Sequence, residues 1–330
     1  MLEFDEVSYK YDWQHNHLYV DMVLGNTCSY SCSYCPDSLH DGSVPWHSID
    51  NLKKFTSRVL SHYSTNLNKQ FYTFNFLGGE PSLYKHLIEL CDHVKNESEK
   101  YNSTSMIEFL TNGYRKEKWW RQNIHLFDQV NISHHPEFAR PEHSRNVADI
   151  VAENKKRTSL MVLMPPVLWN ECLNQIEIIL DSKYMFYMNP KVVLDKKSNI
   201  GNLYKYTPEQ LEFLRQDIRD HGYETIDIFP TKQRCQHLKL KNLIVQPDID
   251  ANFILSHDKH HFKNWYCYAG VDIIHLDHEG NIRYGGACPV STNSNITDNK
   301  YNLPIEPVRC PVKVCYCCDD IECRKSTYVK

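Results

Sequence analysis

From residue 18 to residue 194 the chain alternates short apolar runs with stretches of helical periodicity. The strand-like runs are 18–24, 71–77, 105–110, 127–133, 160–164 and 185–194. Residues 47–63, 83–97, 116–126, 144–154 and 168–181 lie between them and read as helices. In the first of these, Ile49, Leu52, Phe55, Val59 and Leu60 recur on one face. A parallel partner strand is reached only by a long crossover, so this alternation predicts βαβ units and a parallel sheet. Six such units suit a partial (β/α)6 barrel of the TIM type, and the pattern alone leaves a flavodoxin-like open sheet equally open. The motif-bearing residues fall at the C-terminal ends of the strands, where such barrels build their active sites.

The first run delivers the chain to Cys28-Ser29-Tyr30-Ser31-Cys32-Ser33-Tyr34-Cys35. Three thiols in so short a loop can face one compact centre. Thiolates select soft metals, zinc or iron–sulfur clusters. The loop contains no histidine to complete a zinc site, since His40 and His47 come later. If no fourth ligand arrives from elsewhere, a four-iron cluster held by three cysteines keeps one iron open. That vacancy corresponds to the open position of a catalytic zinc.

The spacing Cys-x3-Cys-x2-Cys, with Tyr34 just before the last cysteine, resembles the signature of the radical SAM superfamily. The second run ends at Gly78-Gly79-Glu80-Pro81, a strand-to-helix turn whose paired glycines allow a ligand to approach the backbone closely. The third ends at Thr111-Asn112-Gly113 and the fourth at Ser133-His134-His135. The resemblance implies that Cys28, Cys32 and Cys35 hold a [4Fe-4S] cluster whose open iron binds S-adenosylmethionine. It implies further that Gly78, Gly79, Glu80 and Pro81 receive the methionine amino group. Tyr34, Thr111, Asn112 and Ser133 would complete the cosubstrate site around the nucleoside. It also implies a reductant such as flavodoxin or ferredoxin. The implied chemistry is reductive cleavage to methionine and a 5′-deoxyadenosyl radical, which abstracts hydrogen from a substrate. No catalytic acid or base is assigned; His134 and His135 read as a polar strand end.

A second cysteine set, Cys267, Cys288, Cys310, Cys315, Cys317, Cys318 and Cys323, crowds the last 64 residues. Thiols at that density are not explained as buried apolar residues. A hairpin is expected there, 271–276 against 282–284, turning at Asp277-His278-Glu279-Gly280. The segment 291–307 reads as a loop. Cys267 and the hairpin resemble the opening of the SPASM and twitch extensions of radical SAM enzymes. That implies one auxiliary [4Fe-4S] cluster on ligands drawn from Cys267, Cys288, Cys310, Cys315, Cys317 and Cys318. Structural zinc is the alternative. Cys91 and Cys172 fall within expected helices as packing residues, and Cys235 stands alone.

Two domains follow: a barrel over 1–200 and a smaller cysteine-rich domain over 201–330. A net charge of -4 supplies no basic field, so nucleic acid is not expected as a partner. The N-terminus lacks the pattern of a signal peptide and no apolar run reaches membrane-span length, which predicts a cytoplasmic protein. There, thirteen cysteines argue for metal or redox chemistry rather than disulfides. Only 27 residues precede Cys28, too few for a leader-binding domain. The expected substrate is a peptide or protein side chain. Oxidation or rearrangement of a small metabolite or sugar is the alternative within the family. A non-enzymatic zinc interaction protein, or an electron carrier that never binds the cosubstrate, is the alternative outside it.

Overall fold

In the computed structural model of the chain, the described residues are 4–9, 11–193, 204–214, 216, 218, 238–240, 254, 259–286, 288–315 and 318–328. Six strands run parallel in chain order: β2 (His17–Val23), β3 (Phe71–Leu77), β4 (Thr104–Thr111), β5 (Gln129–His134), β6 (Arg157–Leu163) and β7 (Tyr187–Lys191). The crossovers carry α1 (Ile49–Leu67), α2 (Leu87–Lys100), α3 (Glu117–Asn123), α4 (Pro141–Glu153) and α5 (Trp169–Leu180). The alternation predicts this parallel α/β arrangement, and the resemblance predicts its partial-barrel form. No helix among the described residues is long and apolar enough to cross a membrane.

The pleat assigns opposite characters to the two faces of the sheet. Leu18, Val20 and Met22 of β2, with Tyr72, Phe74 and Phe76 of β3, belong to the main core with Leu52, Phe55 and Val59 of α1. Each such buried side chain contributes roughly 1.5–3 kcal/mol. The alternate positions point away from the helices and are polar. Asp21, Asn75 and Glu108 lie side by side across β2, β3 and β4. Asn75 donates to Asp21 at 2.8 Å, Tyr19 and Asn131 donate to Glu108, and Ser159 donates to Asn131 at 2.7 Å.

Beyond residue 260 the chain returns to this sheet. The expected hairpin forms as β10 (Ile273–Leu276) and β11 (Asn281–Arg283), with Gly280 at φ 86° completing the turn. The segment expected as a loop supplies β12 (Ser291–Asn295), antiparallel to β11; its run of Ser and Asn hid a strand at the sheet's edge. β10 lies parallel to β2, so the sheet has nine strands and continues into the hairpin. The expected domain boundary falls within 194–203, outside the described residues.

A second sheet joins β13 (Val308–Arg309), β9 (Tyr266–Cys267), β14 (Lys325–Ser326), β1 (Glu6–Tyr9) and β8 (Leu238–Leu240), in that spatial order. β1 pairs with β14 through Glu6–Ser326 and Val7–Lys325. β1, expected with the barrel, thus pairs with the cysteine-rich tail. Two short helices complete the described elements, α6 (Pro208–Leu214) and α7 (Cys318–Glu322). Thr207 caps α6 as expected, its hydroxyl accepting from Gln210 N at 3.3 Å.

Candidate cosubstrate and metal centre

The cysteine loop leaves β2 through Gly25-Asn26-Thr27, and this stem is clamped from three strand ends. The first is the end of β3. Gly79 N donates to Gly25 O at 3.1 Å, and Glu80 N donates to Thr27 O at 2.8 Å. A Cβ on Gly79 would stand 2.2 Å from the Thr27 carbonyl oxygen; one on Gly78, at φ 116°, would stand 2.5 Å from Gly25 O. The sequence reading has these glycines opening the backbone to a ligand. What they admit is the stem of the cysteine loop, and two of the amides in that run are already engaged by it. Asn26, not singled out from the sequence, is buried. Its amide donates to Ser38 O, Asp41 Oδ1 and Ser43 Oγ at 2.8–3.1 Å, which folds the following segment back onto the stem.

The second clamp is the end of β4. Glu80 is fully buried and its carboxylate accepts from Ser82 N (3.0 Å), Thr111 Oγ1 (2.8 Å) and Asn112 N (2.7 Å). Burial raises its pKa and these donors act against that. The Glu80 side chain therefore braces one strand end against the next. Asn112, held at that end, donates through Nδ2 to Ser29 Oγ at 3.1 Å and to Cys28 Sγ at 3.6 Å. Pro81 is buried at the first position of a short 3-10 turn, Pro81–Leu83.

The third clamp is the end of β5. Glu137 accepts from the Ser33 amide at 2.7 Å and from its hydroxyl. His135 Nδ1 lies 3.0 Å from the Tyr34 hydroxyl and 3.4 Å from Cys32 Sγ. The Tyr34 and His135 rings stack, with centroids 5.9 Å apart and planes 9° from parallel. The histidine pair thus divides. His134 is buried between Ser144 Oγ (2.8 Å) and Gln175 Oε1 (2.6 Å), whereas His135 reaches the cysteine loop. Burial, then the neighbouring His134, draws the pKa of His135 down to about 4. Ser133 lies half-buried on the polar inner face, across from Met161. Glu137 was missed from the sequence, and His135 is expected there only as part of a polar strand end. Their proximity in sequence to a predicted strand end was the one available signal.

The thiols sense one another. Cys32 is pushed up to about 12, by burial first and then in part by Glu137, Cys35 and Cys28. Burial also raises Cys28, against hydrogen bonds from Tyr30 and Asn112. Without a metal these groups stay protonated; ligation is what would hold them as thiolates.

The tail gathers a second set. β9 places Cys267 opposite Val308 on one side and Lys325 on the other, two residues from Cys310 and Cys323 respectively. Cys315 N donates to His260 O at 2.9 Å. Cys288 is raised to about 11 and Cys315 to about 12, by burial first, with Cys267 and Cys310 contributing to both. Cys323, left out of the expected ligands, is buried and coupled to Cys267. Cys317 and the Cys318 side chain lie outside the described residues. Lys325 is buried beside this set. Its ammonium donates to the carbonyls of Asp320, Ile321 and Cys323, and Cys267, Cys323 and Cys315 raise its pKa against burial. Among the described residues no three His, Cys, Asp or Glu side chains converge as ligands of a single metal ion. A four-iron cluster spreads its ligands over separate corners and does not require that convergence.

Residues 22–174 match the family model described as the Radical SAM superfamily. No curated protein matches the chain in sequence. Among solved structures, native anSMEcpe with bound AdoMet is similar at a TM-score of 0.53 and 15% identity, over 85% of this chain and 78% of that one. The same protein with AdoMet and the Kp18Cys peptide gives 0.53 and 12%, over 86% and 78%. With the Cp18Cys peptide it gives 0.51 and 14%, over 86% and 77%. At these identities the likeness is one of fold.

Proposed function

We propose that this chain, whose residues 22–174 match the Radical SAM superfamily model, is a radical SAM enzyme that cleaves S-adenosylmethionine reductively and abstracts hydrogen from a peptide or protein side chain. The observation that carries the reading is the three-sided clamp on the cysteine loop. The ends of β3, β4 and β5 all spend their polar groups on fixing residues 25–34. Such preorganisation suits a metal centre with an open position.

The donor set fits a [4Fe-4S] cluster: three electrostatically coupled thiols, with an Asn amide and an imidazole within reach of two of them. Cys28, Cys32 and Cys35 would hold it. When bound together, cluster and cosubstrate supply one electron to the sulfonium and a carbon radical able to take a hydrogen atom. This chain's residues do the rest. Glu80 keeps Thr111 and Asn112 in place, Asn112 and Glu137 fix the two halves of the loop, and Tyr34 closes its far side against His135. Tyr30 stacks on Phe138 at 5.4 Å and, with Tyr114 edge-on, forms an aromatic rim beside the loop.

An auxiliary [4Fe-4S] cluster on Cys267, Cys288, Cys310 and Cys315 belongs to the same proposal. A buried ammonium whose protons all go to carbonyls leaves a positive charge facing these sulfurs, as thiolate ligation would require. A peptide substrate is favoured because the similar solved structures include two with bound peptides. A reductant of the flavodoxin or ferredoxin type would deliver the electron.

The test is anaerobic reconstitution followed by iron and sulfide assay, then detection of 5′-deoxyadenosine with dithionite and S-adenosylmethionine. Product is expected from the native chain and not from Cys32→Ala. Colourless protein containing zinc would overturn the proposal. A short open reading frame beside the coding sequence supplies the first peptide to try.

A further inference from the structure

We infer that His135 is a positioning residue whose imidazole N–H is directed at the Cys32 sulfur and raises the reduction potential of the centre held by Cys28, Cys32 and Cys35. The inference rests on the reading above that these cysteines ligate a cluster. It concerns a residue outside the cysteine motif, one that the sequence reading assigns only to a polar strand end.

The geometry is specific. Nδ1 stands 3.4 Å from Cys32 Sγ and 3.0 Å from the Tyr34 hydroxyl, and that hydroxyl is itself hydrogen-bonded to Cys32. The ring is held on two faces, flat against Tyr34 and edge-on to Tyr30 at 6.1 Å. Its backbone position is fixed by the preceding residue, since His134 is locked between Ser144 and Gln175. A half-turn of the ring in its own plane would keep both ring contacts but take Nδ1 from the Tyr34 hydroxyl and the Cys32 sulfur.

A ligating sulfur carries no proton and concentrates negative charge. Any hydrogen bond it makes must be donated to it. With its proton on Nδ1, the imidazole reaches it directly or through the Tyr34 hydroxyl, and in both orders a proton points at the sulfur. Adding an electron to a thiolate-held centre increases the charge on its sulfurs. A donor there therefore stabilises the reduced state more than the oxidised one and lifts the potential. Cys28 receives the weaker contact, 3.6 Å from the Asn112 amide.

The experiment is an EPR-monitored redox titration of the anaerobically reconstituted full chain, following the signal that S-adenosylmethionine perturbs, in native protein, His135→Phe and His135→Gln. Phenylalanine keeps the stack and removes the donor; glutamine keeps an N–H. At the native midpoint, His135→Phe is expected to hold about tenfold less reduced cluster relative to oxidised, a midpoint about 59 mV more negative. His135→Gln is expected to recover most of that loss. A native midpoint in His135→Phe overturns the inference. So does an equal shift in both variants, because ring packing would then be the cause. Native protein labelled with 15N-histidine gives a check independent of any variant. Pulsed EPR of the reduced cluster is expected to show a 15N coupling, and its absence overturns the inference. A native preparation with neither iron nor signal is a different failure, that of the cluster reading beneath.

Discussion

Lys69 and Asp272 are separated by 203 residues in sequence and by 3.1 Å in space, and both are buried. Lys69 precedes β3; Asp272 precedes β10. The ammonium also donates to His15 O and His17 O, at 2.9 and 2.8 Å. Arg324 grips the same carboxylate with two bonds of 2.7 Å while lying 4.1 Å above the Tyr268 ring. One carboxylate thereby ties the barrel, the returning hairpin and the cysteine-rich tail together.

Breaking this tie should be expensive. Asp272→Asn leaves the buried Lys69 and the half-buried Arg324 without their counter-charge, and a loss of about 3–5 kcal/mol is expected in urea unfolding. Burial tends to raise the Asp272 pKa, but Lys69 and Arg324 prevail and hold it at about 2. A carboxyl lowered in the fold stabilises above its unfolded value of about 3.9, and that contribution is lost as pH falls toward about 2. Asp272→Asn should remove this acid-labile part of the stability curve.

Gly79→Ala should disable the metal loop without touching a ligand. The added methyl would meet the Thr27 carbonyl at 2.2 Å, and that carbonyl already accepts from Glu80. A strain of about 1–3 kcal/mol is expected, with the stem displaced. Iron bound after reconstitution should fall severalfold. Gly113→Ala is the control: its φ is 75°, yet the nearest atom to a new Cβ is 3.6 Å away. It should lose about 1 kcal/mol and retain iron.

Cys267→Ala should separate the two thiol sets. Iron per chain should drop from about eight to about four, since each cubane carries four. Cleavage of S-adenosylmethionine should persist, because Cys28, Cys32 and Cys35 follow the C-terminal end of β2, whereas Cys267 precedes the N-terminal end of its parallel neighbour β10. Unchanged iron in this variant would remove the auxiliary centre from the proposal.

Acid should destabilise the fold well before carboxylates titrate. His17 is buried, its Nε2 lies 2.9 Å from Thr73 Oγ1, and burial followed by Lys69 lowers its pKa to about 3. Unfolded, it takes up a proton near pH 6.5. From there down to about pH 3 the unfolded chain binds a proton that the fold refuses, so stability falls by up to about 1.4 kcal/mol per pH unit. His17→Gln should flatten that slope in chemical-denaturation curves taken between pH 4 and 7.

Much of the barrel was legible because periodicity is a local property. The run 71–77 is β3 without adjustment, and the six parallel strands follow the six predicted runs. Partnership is not local. Nothing in Glu6–Tyr9 announces that its neighbours are Lys325 and Ser326, and nothing in Ser291–Asn295 marks an edge strand. The glycines at 78 and 79 were read as open to a ligand because only their conformational freedom is visible in sequence. What fills the space beside them depends on how β2 and β3 are registered. Likewise His134 and His135 look equivalent in sequence. Strand pleat alone sends the first into the α4–α5 core and frees the second, beyond the strand, to reach Tyr34.

The parallel register of Tyr19 with Ile273 bears on how this chain is made. The strand that leads to the three cysteines emerges from the ribosome early, and its outer neighbour emerges about 250 residues later. Until then one flank of β2 has unsatisfied amides and carbonyls, a template for mispairing. Closure across such a sequence separation is intrinsically slow. A nascent barrel would therefore be most vulnerable to aggregation at the very strand that carries its cysteine loop, which makes slow, chaperone-assisted synthesis the sensible regime for producing it.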